Sequence, residues 1–268
     1  MKSLKLYLII LVACIVFSSC QDNDPEINPT KRLVKISEGY ALGASAKVEL
    51  WAKQDLFTGY NQLFVSLYDS TNKSRITEAQ VSLHPRMAMM GGMTHACPVE
   101  NPESDFAINK LFPASAVFIM PTSDMGSWKI SVNVNNQGKP GVAEFDIKVV
   151  DPEFPMMKSF QSTSGEKFFI SYFFADDPKV GENAFTVVVN KMESMMSFPA
   201  VDNFSFELTP EMPSMGHGSP NNINPALTTS GHYEGKVNFT MTGDWRLNLD
   251  VNRSNELLKE MYFDLLVE

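Results

Sequence analysis

The stretch Trp128-Lys129-Ile130-Ser131-Val132-Asn133-Val134, followed by Asn135-Asn136-Gln137-Gly138-Lys139-Pro140-Gly141, decides the class of fold. Apolar and polar residues alternate through the first part, the period of a strand with one buried and one wet face. The second part is made of turn formers. A further apolar run, residues 142–150, returns from that turn. Outward from this hairpin, residues 47–52, 62–68, 79–84 and 116–120 are rich in Val, Ile, Leu and Phe. Residues 167–174, 184–190, 204–208, 236–241, 245–251 and 262–267 repeat the pattern in the second half. Short strands at this spacing predict an all-β chain built as a sandwich or barrel. Only residues 255–261 read as helical. No strand–helix–strand unit and no glycine-rich phosphate loop is present.

The two halves repeat in detail. Gly59-Tyr60-Asn61 parallels Gly181-Glu182-Asn183, Pro85-Arg86-Met87 parallels Pro210-Glu211-Met212, and Met90-Gly91 parallels Met215-Gly216. Phe118-Ile119-Met120 with Gly126-Ser127-Trp128 parallels Phe239-Thr240-Met241 with Gly243-Asp244-Trp245. The same order of features twice predicts a tandem duplication and two homologous sandwiches. Their boundary is expected near Asp151-Pro152-Glu153-Phe154-Pro155, where two prolines interrupt strand pairing. The expected organisation is residues 1–19 as signal, 20–35 as tether, 36–152 as the first sandwich and 153–268 as the second. Residues 160–268 are expected to contain a full strand set.

At 268 residues the chain accommodates two such domains. It carries 31 acidic against 22 basic residues, a net charge of −9, which makes nucleic acid an unfavourable partner. The amino terminus reads as an export signal: Lys2 and Lys5 precede an apolar run over residues 6–17, too short to span a bilayer. That run ends in Phe17-Ser18-Ser19-Cys20, which resembles a bacterial lipobox, with Phe17 where an aliphatic residue is usual. Cys20 is therefore the expected lipidation site, and the polar, acidic residues 21–26 the start of a tether. Cys14 leaves with the signal, so Cys97 has no internal partner and is buried, intermolecular or a ligand.

Methionine is over-represented, at 16 residues, and histidine is scarce, at four. Two segments concentrate both. The first runs from Met87 through Met90 and Met93 to His95 and Cys97, and the second is Met212-Pro213-Ser214-Met215-Gly216-His217-Gly218. Thioether, thiolate and imidazole are soft or borderline donors suited to Cu(I) and unsuited to Mg²⁺ or Ca²⁺. Met87, Met90, Met93, His95 and Cys97 in the first repeat, and Met212, Met215 and His217 with Met241 in the second, are the candidate metal ligands; Met120 is the first-repeat counterpart of Met241. Methionine is also an ordinary core filler, and Met156, Met157, Met195 and Met196 are read that way. Glycine and proline inside both segments predict surface loops rather than buried strands. His84 reads as structural, and the role of His232 stays open. Zinc is disfavoured, since no CxxC pair exists. Ser214 lies in no nucleophile elbow and Cys97 has no evident orienting acid, so no catalytic residues are assigned and an enzyme is not expected.

The second segment, taken with Gly231-His232-Tyr233, Val237-Asn238-Phe239 and Gly243-Asp244-Trp245-Arg246, resembles the YtkA-like/FixH-like family over roughly residues 165–252. A weaker likeness covers roughly 45–150, where the longer Met-rich loop with Cys97 departs from the pattern. The resemblance implies an immunoglobulin-like β-sandwich fold, export or membrane tethering, and an association with copper handling. The tandem lipoprotein arrangement resembles Bacteroidetes proteins of this family. The expectation is a lipid-anchored protein of the cell envelope, in the outer membrane, that binds copper as Cu(I) and exchanges it with a transporter or carrier protein. The alternative is a structural or adhesion module that binds another protein.

Overall fold

The computed structural model describes residues 28–254 and 256–268. The signal, Cys20 and the tether up to residue 27 lie outside the described residues. The chain is all-β: four antiparallel sheets form two sandwiches. In the first half, β1 (Val34–Ala41), β2 (Ala46–Ala52), β3 (Gly59–Asp69), β8 (Phe112–Phe118) and β7 (Val99–Glu100) make one sheet in that order, with β4 (Arg75–Ile76) beside β3. The facing sheet has the order β10 (Lys139–Ile147), β9 (Gly126–Asn136), β5 (Gln80–Met89), β6 (Thr94–His95). The second half repeats this topology. One sheet runs β11 (Met157–Gln161), β12 (Lys167–Phe174), β13 (Gly181–Met192), β17 (His232–Phe239), β16 (Ile223–Thr229). The other runs β15 (His217–Gly218), β14 (Phe204–Met212), β18 (Gly243–Arg253), β19 (Glu256–Val267).

Alternation builds each core. On β9, Trp128, Ile130, Val132 and Val134 are buried while Lys129 and Asn133 are exposed. On β18, Trp245, Leu247, Leu249 and Val251 take the same inward positions. The repeat extends to hydrogen bonds. The Asn61 amide donates to the carbonyls of Phe57 (2.7 Å) and Gly59 (2.8 Å), and the Asn183 amide donates to those of Lys179 (2.7 Å) and Gly181 (2.8 Å). Each asparagine ties down the loop leading into its central strand. Gly59 and Gly181 sit there at φ 135° and 103°, a region closed to other residues.

Three readings of the sequence are corrected. Residues 256–261, expected to be helical, form the first half of β19, paired with β18 along its length. The first strand begins at Val34, inside the expected tether, and β11 begins at Met157, so a fragment starting at residue 160 lacks most of an edge strand. At the start of each Met-rich segment, Met87 and Met212 are in strands rather than in the expected surface loop, and both side chains are buried. Pro85 does not end β5, because at that point β5 has a hydrogen-bonded neighbour on one side only, β9.

The sandwiches pack against each other through outward faces. Tyr60 and Val117, paired across β3 and β8, meet Phe173 and Val188 of β12 and β13. The Tyr60 and Phe173 rings stack at 4.5 Å between centroids. Around this apolar contact, Tyr60 Oη donates to Glu100 Oε2 (2.9 Å), Ser115 Oγ donates to the same oxygen (2.5 Å), and His232 Nε2 meets Glu100 Oε1 at 2.5 Å. Burial alone pushes the Glu100 carboxyl up, but the hydrogen bonds from His232, Ser115 and Tyr60 outweigh it and hold the group below the usual carboxylate range.

Candidate functional site

A row of three side chains crosses one sheet of each sandwich. In the first, Met87 on β5 is directly opposite His95 on β6 and, on its other side, Trp128 on β9. Directly opposite residues share a face with Cβ atoms roughly 4.5–5.5 Å apart. The His95 ring stands edge-on to Trp128, 5.3 Å between centroids. In the second, Met212 on β14 is opposite His217 on β15, and the neighbouring pair Glu211–Arg246 sets Met212 level with Trp245. His217 stands edge-on to Trp245 at 5.9 Å. The structural counterpart of His217 is therefore His95, a match hidden in the sequence because the first hairpin is three residues longer.

Each imidazole is oriented in the same way. His95 Nδ1 lies 2.9 Å from the carbonyl oxygen of Ala96, and His217 Nδ1 lies 3.0 Å from that of Gly218. A carbonyl only accepts, so Nδ1 carries the proton and donates it, leaving the Nε2 lone pair for another partner. His95 Nε2 is buried and has no hydrogen-bond partner among the described residues. An imidazole held this way has the orientation of a metal ligand supported by a carbonyl behind it.

Met87 and Met212 also have a packing role. A Cβ placed on Gly126 would lie 2.5 Å from the Met87 methyl, and one on Gly243 would lie 2.9 Å from the Met212 methyl. The glycine of each Gly-x-Trp motif thus makes room for a thioether. The tryptophan closes the same corner: Trp128 Nε1 donates to the Met120 carbonyl (2.8 Å) and Trp245 Nε1 donates to the Met241 carbonyl (3.0 Å).

The remaining candidates divide by exposure. Met90, Met93 and Met215 sit at the hairpin tips and are exposed, as are Met120 and Met241 at the strand ends beside them. Gly91, Gly92 and Gly216 turn these tips at positive φ. Met125, not singled out in the sequence, is exposed in the same place; its carbonyl accepts from Met90 N–H at 3.0 Å. Ser214 donates its hydroxyl to Asp244, which pins the second hairpin to the loop before Trp245. Cys97 is buried in the first core, and burial pushes its thiol far up, so at neutral pH it is a protonated thiol. Of the two remaining histidines, His84 lies 3.1 Å from Ser82 Oγ within β5, and His232 belongs to the joint between sandwiches. Among the described residues no three His, Cys, Asp or Glu side chains converge on one point.

Methionines read as filler are not all buried. Met195 and Met196 lie in the turn after β13 and are 41% and 48% exposed. Their turn reaches the other sandwich, where Ala96 N–H donates to the Met195 carbonyl at 2.8 Å. Two adjacent methionines between serines stand out in the sequence, but nothing in it placed their turn against Ala96, the residue after His95.

Residues 170–250, most of the second sandwich, match the YtkA-like family model. No curated protein matches the sequence. Among solved structures, the chain is similar to FdeC, an adhesin of Escherichia coli, at 13% identity over 87% of this chain and 66% of that one, with a TM-score of 0.27. It is also similar to domains 5–6 of the S-layer protein SbsC, at 12% identity over 88% of this chain and 97% of that one, with a TM-score of 0.30. The chain spans just under two thirds of the adhesin chain's length.

Proposed function

We propose that this protein, a pair of β-sandwiches of which the second is YtkA-like, binds Cu(I) at its two His–Met–Trp corners and passes it on by ligand exchange. One observation carries the reading: the buried, unpartnered Nε2 of His95, with its tautomer set by the Ala96 carbonyl, on the same face as the Met87 thioether. An unsatisfied buried nitrogen is costly and calls for a partner. Thioethers and a neutral imidazole favour a soft ion. Exposed methionines around each corner, Met90, Met93 and Met120 in one and Met215 and Met241 in the other, are flexible donors through which an ion could enter. Cys97 is the least favoured of the candidate ligands, since its buried thiol would have to lose a proton. In this reading lipidation at Cys20 holds the protein at the cell envelope, in the outer membrane, and the partner is a transporter or carrier of the same ion.

The test is Cu(I) titration of the mature chain against a chromophoric chelator under reducing conditions. Met212→Leu with Met215→Leu keeps volume and apolarity, at a cost of under about 1.5 kcal/mol per buried swap. The expected result is loss of one Cu(I) equivalent, or an affinity weaker by about tenfold or more at that site. If the double variant keeps both equivalents at parental affinity, these methionines only pack.

A further inference from the structure

The two corners share their neighbours but not their cover. His95 keeps only 2% of its surface, whereas His217, with the same cross-strand methionine, tryptophan and carbonyl, stays partly open. Two features stand beside His95 that His217 lacks. One is the longer hairpin tip with Met90 and Met93. The other is the turn of the second sandwich, docked by the hydrogen bond from Ala96 N–H to the Met195 carbonyl. Ala96 is the residue next to His95, so this bond brings the Met195 backbone to the edge of the corner. Met195 and Met196 are nevertheless exposed, so the core does not hold them. Their turn closes on itself: Glu193 N–H donates to the Ser197 carbonyl at 3.0 Å and Met196 N–H donates to Ser194 Oγ at 3.1 Å. Two exposed thioethers are thereby carried on a backbone fixed next to a corner whose buried nitrogen lacks a partner.

We infer that the first site is composite: Met195 and Met196 of the second sandwich supply soft donors to the Cu(I) held by His95 and Met87 of the first. The inference rests on the Cu(I) reading and adds that one of the two sites is complete only while the sandwiches are docked. The second site, contained within one sandwich, has no such dependence.

The experiment uses the mature chain carrying Met212→Leu and Met215→Leu, so that remaining Cu(I) reports the first site. Adding Met195→Leu and Met196→Leu is expected to weaken that site by about tenfold or more and to reduce the number of sulfur scatterers seen at copper by X-ray absorption. Met195→Gln with Met196→Gln, tolerable at exposed positions, is expected to weaken it equally. Unchanged affinity and an unchanged sulfur count in either pair overturn the composite site while leaving Cu(I) binding intact. Absence of Cu(I) binding in the parent chain overturns the functional reading itself, and this inference with it.

Discussion

Gly126 is a glycine because the methyl of Met87 occupies the place of a side chain. The contact, 2.5 Å to a modest added Cβ, is too close for any substituent without movement of the methionine. Gly126 has no positive φ, so Gly126→Ala tests packing alone; Gly243, at φ 126°, would add backbone strain. The atom met is the free end of a flexible side chain, so Met87 can give way and the cost falls at the low end of overpacking, about 1 kcal/mol or less. Gly126→Ala is expected to lose that much stability in urea unfolding, and a following Met87→Ala to cost less in its presence than alone, because the clash is gone. Strict additivity of the two would show that the methionine does not press on the glycine. The Gly-x-Trp motif was legible as a repeat, but its reason was not, since the methionine is 39 positions away in sequence and adjacent only across strands.

At the scale of the element, β19 shows why one local reading fails. Leu257, Leu258 and Met261 carry helical spacing within a run of good helix formers. Pairing with β18 overrides this propensity, and the inward set becomes Met261, Phe263, Leu265 and Val267. Phe263→Ala is therefore expected to cost about 3–5 kcal/mol, while Leu257→Ser is expected to stay within about 0.5 kcal/mol, both read by thermal or urea unfolding. Comparable losses at both positions would contradict the strand register. The hairpins β5–β6 and β14–β15 show the opposite case. Their methionines and histidines stood out by composition, yet only cross-strand register shows that Met87 faces His95 as Met212 faces His217.

At the scale of the molecule, the joint between sandwiches is an apolar stack bordered by one carboxylate. The Glu100 carboxyl is held below its ordinary value of 4.5 by His232, Ser115 and Tyr60, of which only His232 reaches it across the joint and is lost on undocking. A carboxyl lowered in the docked state stabilises it fully above the ordinary value, and that contribution is lost as pH falls below it, because the undocked state then binds the proton first. The radius of gyration from small-angle scattering is expected to hold steady down to about pH 4.5 and to grow as pH falls further, and Glu100→Gln is expected to show the looser form already at neutral pH. A Glu100→Gln chain as compact as the parent at neutral pH would show that the joint holds without this carboxylate.

By itself the sequence determined the class of fold, the duplication and the chemistry of the donors. Strand alternation depends on neighbours two apart, and the repeat on order along the chain, so both survive without coordinates. Only the tertiary structure decided which donors share a corner, that Met87 and Met212 are buried in strands, and that the turn carrying Met195 and Met196 docks on Ala96. Those facts follow from register between strands and from how two sandwiches cover each other. The first is settled by burying the inward side chains of each sandwich, and the second by burying the outward Tyr60, Val117, Phe173 and Val188 together, long-range choices that no local pattern encodes.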